Sequence, residues 1–119
     1  MKRKTDPRHL RRITLIQELF SWSFQKKSKP SPQINQIITH LSRIDEFISQ
    51  SAPDRPINQI NRVDLSILRL AVYELMVEKK EPPKVIIDEA IELGKEFGSD
   101  SSASFINGAL GKLMEGKNI

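Results

Sequence analysis

Apolar residues recur every three or four positions in five separate stretches of the chain, which is the spacing of one face of an α-helix. Asp6-Pro7 predicts the first helix start, because Asp accepts from free N–H groups and Pro suits the first helical position. The stripe Leu10, Ile13, Ile16, Leu19, Phe20, Trp22 and Phe24 follows, with Arg8, Arg11 and Arg12 clustered at its beginning. Lys26 to Pro32, rich in charge, Ser and Pro, predicts a loop, and Ser31-Pro32 repeats the cap-plus-proline device. A second helix is expected to carry Ile34, Ile37, Ile38, Leu41, Ile44, Phe47 and Ile48 on one side. Ala52 to Pro56 ends it. Ile57 to Ile60 predicts one helical turn, and Asn61 caps the next segment.

From Val63 to Val77 apolar residues cover most of the helix circumference, which places this segment in the middle of a bundle. Glu81-Pro82-Pro83 is a stiff connector. Val85 to Phe97 predicts a further helix, with Gly98 expected to end it in the left-handed conformation. After Ser99 to Ser102, any of which can cap, Phe105, Ile106, Ala109, Leu110, Leu113 and Met114 form the last stripe. No alternating strand pattern exceeds four residues. The fold class expected is all-α: one compact helical domain over 1–119, with short connections making neighbouring helices antiparallel. It divides into a basic arm at 1–7, N-terminal helices at 8–51 and a C-terminal helical subdomain at 57–116.

Composition narrows the class further. With 38% hydrophobic and 29% charged residues, the 119-residue chain has the balance of an ordinary globular domain. No apolar run reaches the roughly 18 to 20 residues that span a bilayer, and no secretory signal follows the basic Met1 to Lys4. The chain has no cysteine, which excludes disulfides and thiolate chemistry and suits a cytoplasmic location. The net charge of +4 is uneven: Lys2 to Lys29 carries +7 and Pro30 to Ile119 carries −3. A basic end opposite an acidic remainder is expected of a protein that meets a polyanion, although a solvated, solubilising tail has the same composition.

Catalytic chemistry finds little support. His9 and His40 lie in different helices with nothing that ties either to a nucleophile, and a lone helical His is usually surface or satisfied core. No His pair has metal-ligand spacing, so no metal and no cofactor is expected. Asp88, Glu89, Glu92 and Glu96 read as a solvated acidic face or a docking surface. Gly94, Gly98, Gly108 and Gly111 follow no strand and cannot be a nucleotide-binding loop. The chain is not expected to be an enzyme.

Three stretches resemble the NusB family of transcription antitermination proteins. Asn61-Arg62-Val63-Asp64-Leu65-Ser66-Ile67-Leu68-Arg69-Leu70-Ala71-Val72-Tyr73-Glu74-Leu75 is similar to the family's central helix. Pro82 to Gly98, including Asp88-Glu89-Ala90-Ile91-Glu92-Leu93, is similar to the helix that follows. Phe105-Ile106-Asn107-Gly108-Ala109-Leu110 resembles the family's Phe-Val-Asn-Gly-Val-Leu signature. Gln17, Leu19, Phe20, Ser21 and Trp22 add a fainter fourth match. The resemblance implies a NusB-like bundle of two packed helical subdomains, the N-terminal one reduced here because Lys26 to Pro32 is too short to hold an additional helix.

It also implies a function: binding boxA-like single-stranded RNA of ribosomal RNA transcripts together with the ribosomal protein NusE. In that role the chain would support read-through by the RNA polymerase antitermination complex. By the same resemblance Arg8, Arg12, Phe20 and Phe105 are expected RNA contacts, joined by the basic arm Lys2, Arg3 and Lys4, and Asp64 is an expected contact to NusE. Cations at a helix start oppose the macrodipole, by a few tenths to about 1 kcal/mol, which favours a reason beyond the helix itself. Phe20 suits base stacking, and a core Phe on a helical stripe is the competing reading; Phe105 is open to the same two readings. Asn107-Gly108 is expected to serve close helix packing, and Arg69 and Tyr73 to be structural. His9 and Leu10 stand where the family often has Arg, and Ser104 stands where Lys or Arg commonly precedes the Phe, so the RNA-facing charge is thinned. Lys2, Arg3, Lys4 and Arg11 are candidates to make up the loss.

Two other readings compete. An RNA-binding module serving an rRNA-modifying enzyme would need a separate catalytic subunit, since no catalytic domain follows to Ile119. A DNA-binding helix-turn-helix over Val85 to Met114 is weak, because its second helix offers only Lys112 to a groove. Monomer and homodimer are both open.

Overall fold

In the computed structural model, residues 6–26 and 28–117 are described, and the basic arm Lys2, Arg3 and Lys4 lies outside them. Six α-helices follow in order: α1 (Pro7–Ser23), α2 (Pro32–Thr39), α3 (Leu41–Ser51), α4 (Arg62–Tyr73), α5 (Pro83–Phe97) and α6 (Ser102–Lys117). A 3-10 turn (Ile57–Gln59) precedes α4, and a π-helical turn (Glu74–Glu78) continues it. No strand occurs among the described residues, and between Ser23 and Pro32 they form no helix. No described helix is long and apolar enough to cross a membrane.

The expected helix starts are present. Asp6 accepts from the backbone N–H of Arg8 at 2.8 Å, and Pro7 opens α1. Asn61 accepts from the N–H of Asp64 at 2.9 Å at the start of α4. Ser31 differs: Pro32 opens α2, but the Ser31 hydroxyl makes no capping bond and is buried without a partner.

The single helix expected through Ile34 to Ile48 is broken at His40, whose φ of −101° and ψ of 13° leave the helical region. Thr39 donates its hydroxyl to the Asn35 carbonyl at 2.8 Å, and the His40 ring nitrogen meets the Gln36 carbonyl at the same distance. Two consecutive side chains thus compete for the previous turn's carbonyls, which is how polar residues bend helices. The apolar stripe continues regardless: Ile34, Ile37, Ile44, Phe47 and Ile48 are all buried.

Helix α4 runs through the centre, packed on α1, α2, α3, α5 and α6. Every residue from Asp64 to Val72 is buried, as its apolar circumference requires. Arg69 is tolerated there because Asp45 of α3 takes its guanidinium in two bonds of 3.0 and 2.9 Å. Gly98 ends α5 but not in the left-handed form: its φ is −92° and its ψ −166°. A Cβ at Gly98 would lie 2.3 Å from Ser102 Oγ, so close approach of the two helix ends requires glycine there. The left-handed residue is instead Lys79, which stops the π turn at φ 56°. Gly108 is not a packing glycine, since a Cβ there would meet nothing within 4 Å, whereas one at Gly94 would lie 2.9 Å from Ile106 Cδ1.

Candidate nucleic-acid interface

Helix α1 divides its side chains by periodicity. His9, Arg12, Leu15, Ile16, Leu19 and Ser23 face inward, while Arg8, Leu10, Arg11, Gln17, Phe20, Ser21 and Phe24 are exposed. The inward stripe therefore begins with two polar residues, and their surroundings explain how they are buried.

Arg12 is only 4% exposed. Its Nε and one terminal nitrogen grip both carboxylate oxygens of Glu74, at 2.9 and 2.7 Å, and the other terminal nitrogen reaches Glu89 at 3.3 Å. Glu81 accepts a further bond from the same guanidinium. Burial alone opposes its charge, but the bonds to Glu74 and the field of Glu81 and Glu89 win, and the group is held more firmly protonated than a free guanidinium. His9 lies beside it with both ring nitrogens committed: Nδ1 is 3.0 Å from Glu89 and Nε2 is 2.8 Å from Glu96. A neutral imidazole carries one N–H, so it would turn a lone pair toward one carboxylate; only the imidazolium donates to both. Burial pulls the His9 pKa down, yet the two carboxylates outweigh it and raise the value above the usual 6.5.

These contacts pin the start of α1 to the π turn, the Pro-Pro connector and α5. They also account for cations at a helix N-terminus, since the carboxylates of Glu74 and Glu89 offset the unfavourable dipole. Arg12 thus faces carboxylates rather than solvent. Glu89, read from the sequence as part of a solvated acidic face or a docking surface, is 3% exposed and joins both Arg12 and His9. The local pattern around Asp88 to Glu96 does not distinguish it from Glu92, which is exposed. The one available hint is that Glu89 and Glu96 stand seven apart, two turns along one helix face.

The exposed side chains of α1 are basic near its start and aromatic near its end. The Arg8 side chain is 70% exposed and makes only loose pairs with Asp6 at 3.7 Å and Glu81 at 3.4 Å. Arg11 is exposed as well. Phe20, 37% exposed, walls an apolar groove with Ile16, Val63 and Phe97, and it meets the more exposed Phe24 edge to face at 5.0 Å. Arg62 covers the Phe24 ring at 4.5 Å while donating to the Ser23 carbonyl at 2.8 Å. Phe105, half-buried in α6, lies under the guanidinium of Arg55 at 4.1 Å. Asp64 is 1% exposed, and Asn61 holds one of its carboxylate oxygens at 3.1 Å, so its visible role is to complete the start of α4. Among the described residues no group of three or more His, Asp or Glu is arranged to hold a metal ion.

The NusB family model matches residues 25–115. The transcription antitermination protein NusB of Chloroflexus aggregans is 47% identical over 77 residues, covering 63% of this chain and 51% of that protein. The chain spans about half the length of this and similar curated relatives. NusB of T. maritima superposes with a TM-score of 0.83 at 32% identity, covering 97% of this chain and 93% of the other. A chain from the crystal structure of antitermination factors NusB and NusE in complex with dsRNA gives a TM-score of 0.75 at 20% identity, covering 93% and 99%, a likeness of fold. With a family model matching most of its length and a solved NusB sharing nearly all of its fold, this chain belongs to the NusB family.

Proposed function

We propose that this chain binds boxA-like single-stranded RNA together with NusE, and that it supports read-through by RNA polymerase during ribosomal RNA synthesis. The observation that carries this reading is the exposed surface of α1, where Arg8 and Arg11 supply cations at the start of the helix and Phe20 supplies a ring near its end, on a different side of the helix. Guanidinium groups supply salt-dependent phosphate affinity, and an exposed ring supplies a base-stacking surface; single-strand binders combine the two. The basic arm Lys2, Arg3 and Lys4 precedes α1 in sequence and adds three positive charges to this end of the chain. Phe105 offers a second ring beneath Arg55. Membership of the NusB family, and a shared fold with a chain from a complex that contains NusE and dsRNA, supports the choice of partners. Arg12, enclosed by carboxylates, positions α1 in this reading and does not touch phosphate. Asp64 reaches NusE only if the start of α4 opens, because Asn61 and burial cover it.

The test is a titration of labelled boxA RNA, a scrambled RNA and duplex DNA, with and without NusE. Tighter binding to boxA RNA than to either competitor is expected, with affinity falling as salt rises. Equal affinity for all three would reduce the basic face to a non-specific feature. RNA binding that ignores NusE would favour the module serving an rRNA-modifying enzyme.

A further inference from the structure

Three arginines among the described residues are committed to polar partners. Arg12 and Arg69 are held by carboxylates, and Arg62 donates to the backbone of Ser23. Arg55 differs. It is exposed in the segment between α3 and the 3-10 turn, and its guanidinium forms no hydrogen bond or ion pair with the described residues; it lies over the face of Phe105. At 4.1 Å the guanidinium is in stacking range of the ring. Stacking fixes the plane of a guanidinium and leaves its in-plane N–H donors pointing outward, which is the arrangement that grips phosphate oxygens in pairs. Its second face can take a nucleobase.

The surroundings match. The 52–56 segment and α6 enclose a cleft lined by Asp54, Arg55, Ser104, Phe105, Gly108 and Lys112. Its floor at Gly108 is open, since a Cβ there would meet nothing within 4 Å. Lys112 is exposed and pairs with no carboxylate among the described residues. Asp54 also lines the cleft but bonds to neither cation, so the donors of both stay open while the cleft as a whole carries a net charge of +1. Ser104, next to Phe105 in sequence, carries no charge, and the cation over this ring comes instead from a segment some fifty residues away, at position 55 against 105.

We propose that Arg55, stacked on Phe105, and Lys112 form a nucleotide subsite of their own, in which the two cations hold a phosphodiester of single-stranded RNA and a base stacks on the outer face of Arg55. The site rests on the RNA-binding reading and extends it to Arg55 and Lys112. Two elements distant in sequence assemble it, so neither the 52–56 segment nor α6 suffices alone.

The experiment measures anisotropy of a fluorescein-labelled boxA RNA with the full chain across a potassium chloride series. Arg55→Ala is expected to weaken binding at least roughly fivefold, the lower end of a lost base stack. It also lowers the slope of log affinity against log salt by roughly 0.7, one phosphate contact. Arg55→Lys restores the slope but not the affinity, because an ammonium keeps the charge and loses the stack. Lys112→Ala, which touches no ring, lowers the slope by a similar amount and weakens binding at low salt, without the additional loss of a stack. Circular dichroism melts of each variant are expected to match the unaltered chain, since both residues are exposed. Unchanged affinity and slope for Arg55→Ala, with normal binding by the unaltered chain, would overturn the subsite and leave the α1 reading standing. Failure of the unaltered chain to bind RNA at all would overturn both.

Discussion

Replacing Arg12 with Ala removes a guanidinium that bonds Glu74, Glu81 and Glu89 at once. Glu74 and Glu89 are 5% and 3% exposed, so neither carboxylate can recover its lost partner from water without the helices moving apart. Removing one member of a buried pair costs about 3–5 kcal/mol, because the charge left behind is uncompensated. His9 still faces Glu89, which places the expected loss toward the lower part of that range. Against a total stability of about 5–15 kcal/mol the effect is large. Urea unfolding followed by circular dichroism would read it as a midpoint lowered by about 1–3 M, given a slope of roughly 1–3 kcal/mol per molar. A cycle with Glu74→Ala separates the pair from general damage: the second substitution is expected to cost less once Arg12 is gone, by about 0.5–3 kcal/mol. The reasoning would be refuted if Arg12→Ala changed stability by less than about 0.5 kcal/mol while flattening the salt dependence of RNA binding. That outcome would make Arg12 a phosphate contact.

Other expectations follow from the same packing. His9 has a raised folded pKa, so the stability it contributes is fully present below about 6.5 and is lost as pH rises through the higher folded value; His9→Ala is expected to flatten this part of a stability-against-pH profile. Leu68→Ala, at a side chain 1% exposed in the central helix, is expected to cost roughly 2–5 kcal/mol in denaturant unfolding through the cavity it leaves. Gly98→Ala is expected to lower stability by about 1–3 kcal/mol, because the new Cβ would overlap Ser102, and a neutral result would show that the α5–α6 corner yields easily.

The helices were legible because each buries one side against a neighbour, and that requirement writes a period into the sequence. The central position of α4 was legible for the same reason, its apolar residues leaving no outward face. The break at His40 was not, because the apolar stripe runs through it undisturbed and only the side-chain bonds of Thr39 and His40 reveal it. Gly98 was recognised as a helix end, but its reason is the Ser102 side chain across the corner, a contact that helix-end rules do not describe. The candidate site divides likewise. The basic and aromatic residues of α1 could be named from their types, yet which face each occupies depends on the carboxylates opposite. Arg8 and Arg12 are both arginines near one helix start, one exposed and one enclosed, and the difference is made by Glu74 and Glu89, over sixty residues away. The Arg55–Phe105 stack joins segments that no local motif connects.

The central claim, that this chain acts on RNA in concert with NusE, is tested most directly by reciprocal titration: RNA binding measured with and without NusE, and NusE binding measured with and without boxA RNA. Linkage requires each partner to tighten the other's binding by the same factor. The net charge of −3 over residues 30–119 suits a basic ribosomal protein, so the NusE encounter is expected to slow as salt rises. Equal reciprocal tightening on boxA RNA, absent on scrambled RNA, is the predicted result. Binding of RNA at an affinity that NusE leaves unchanged would contradict the claim.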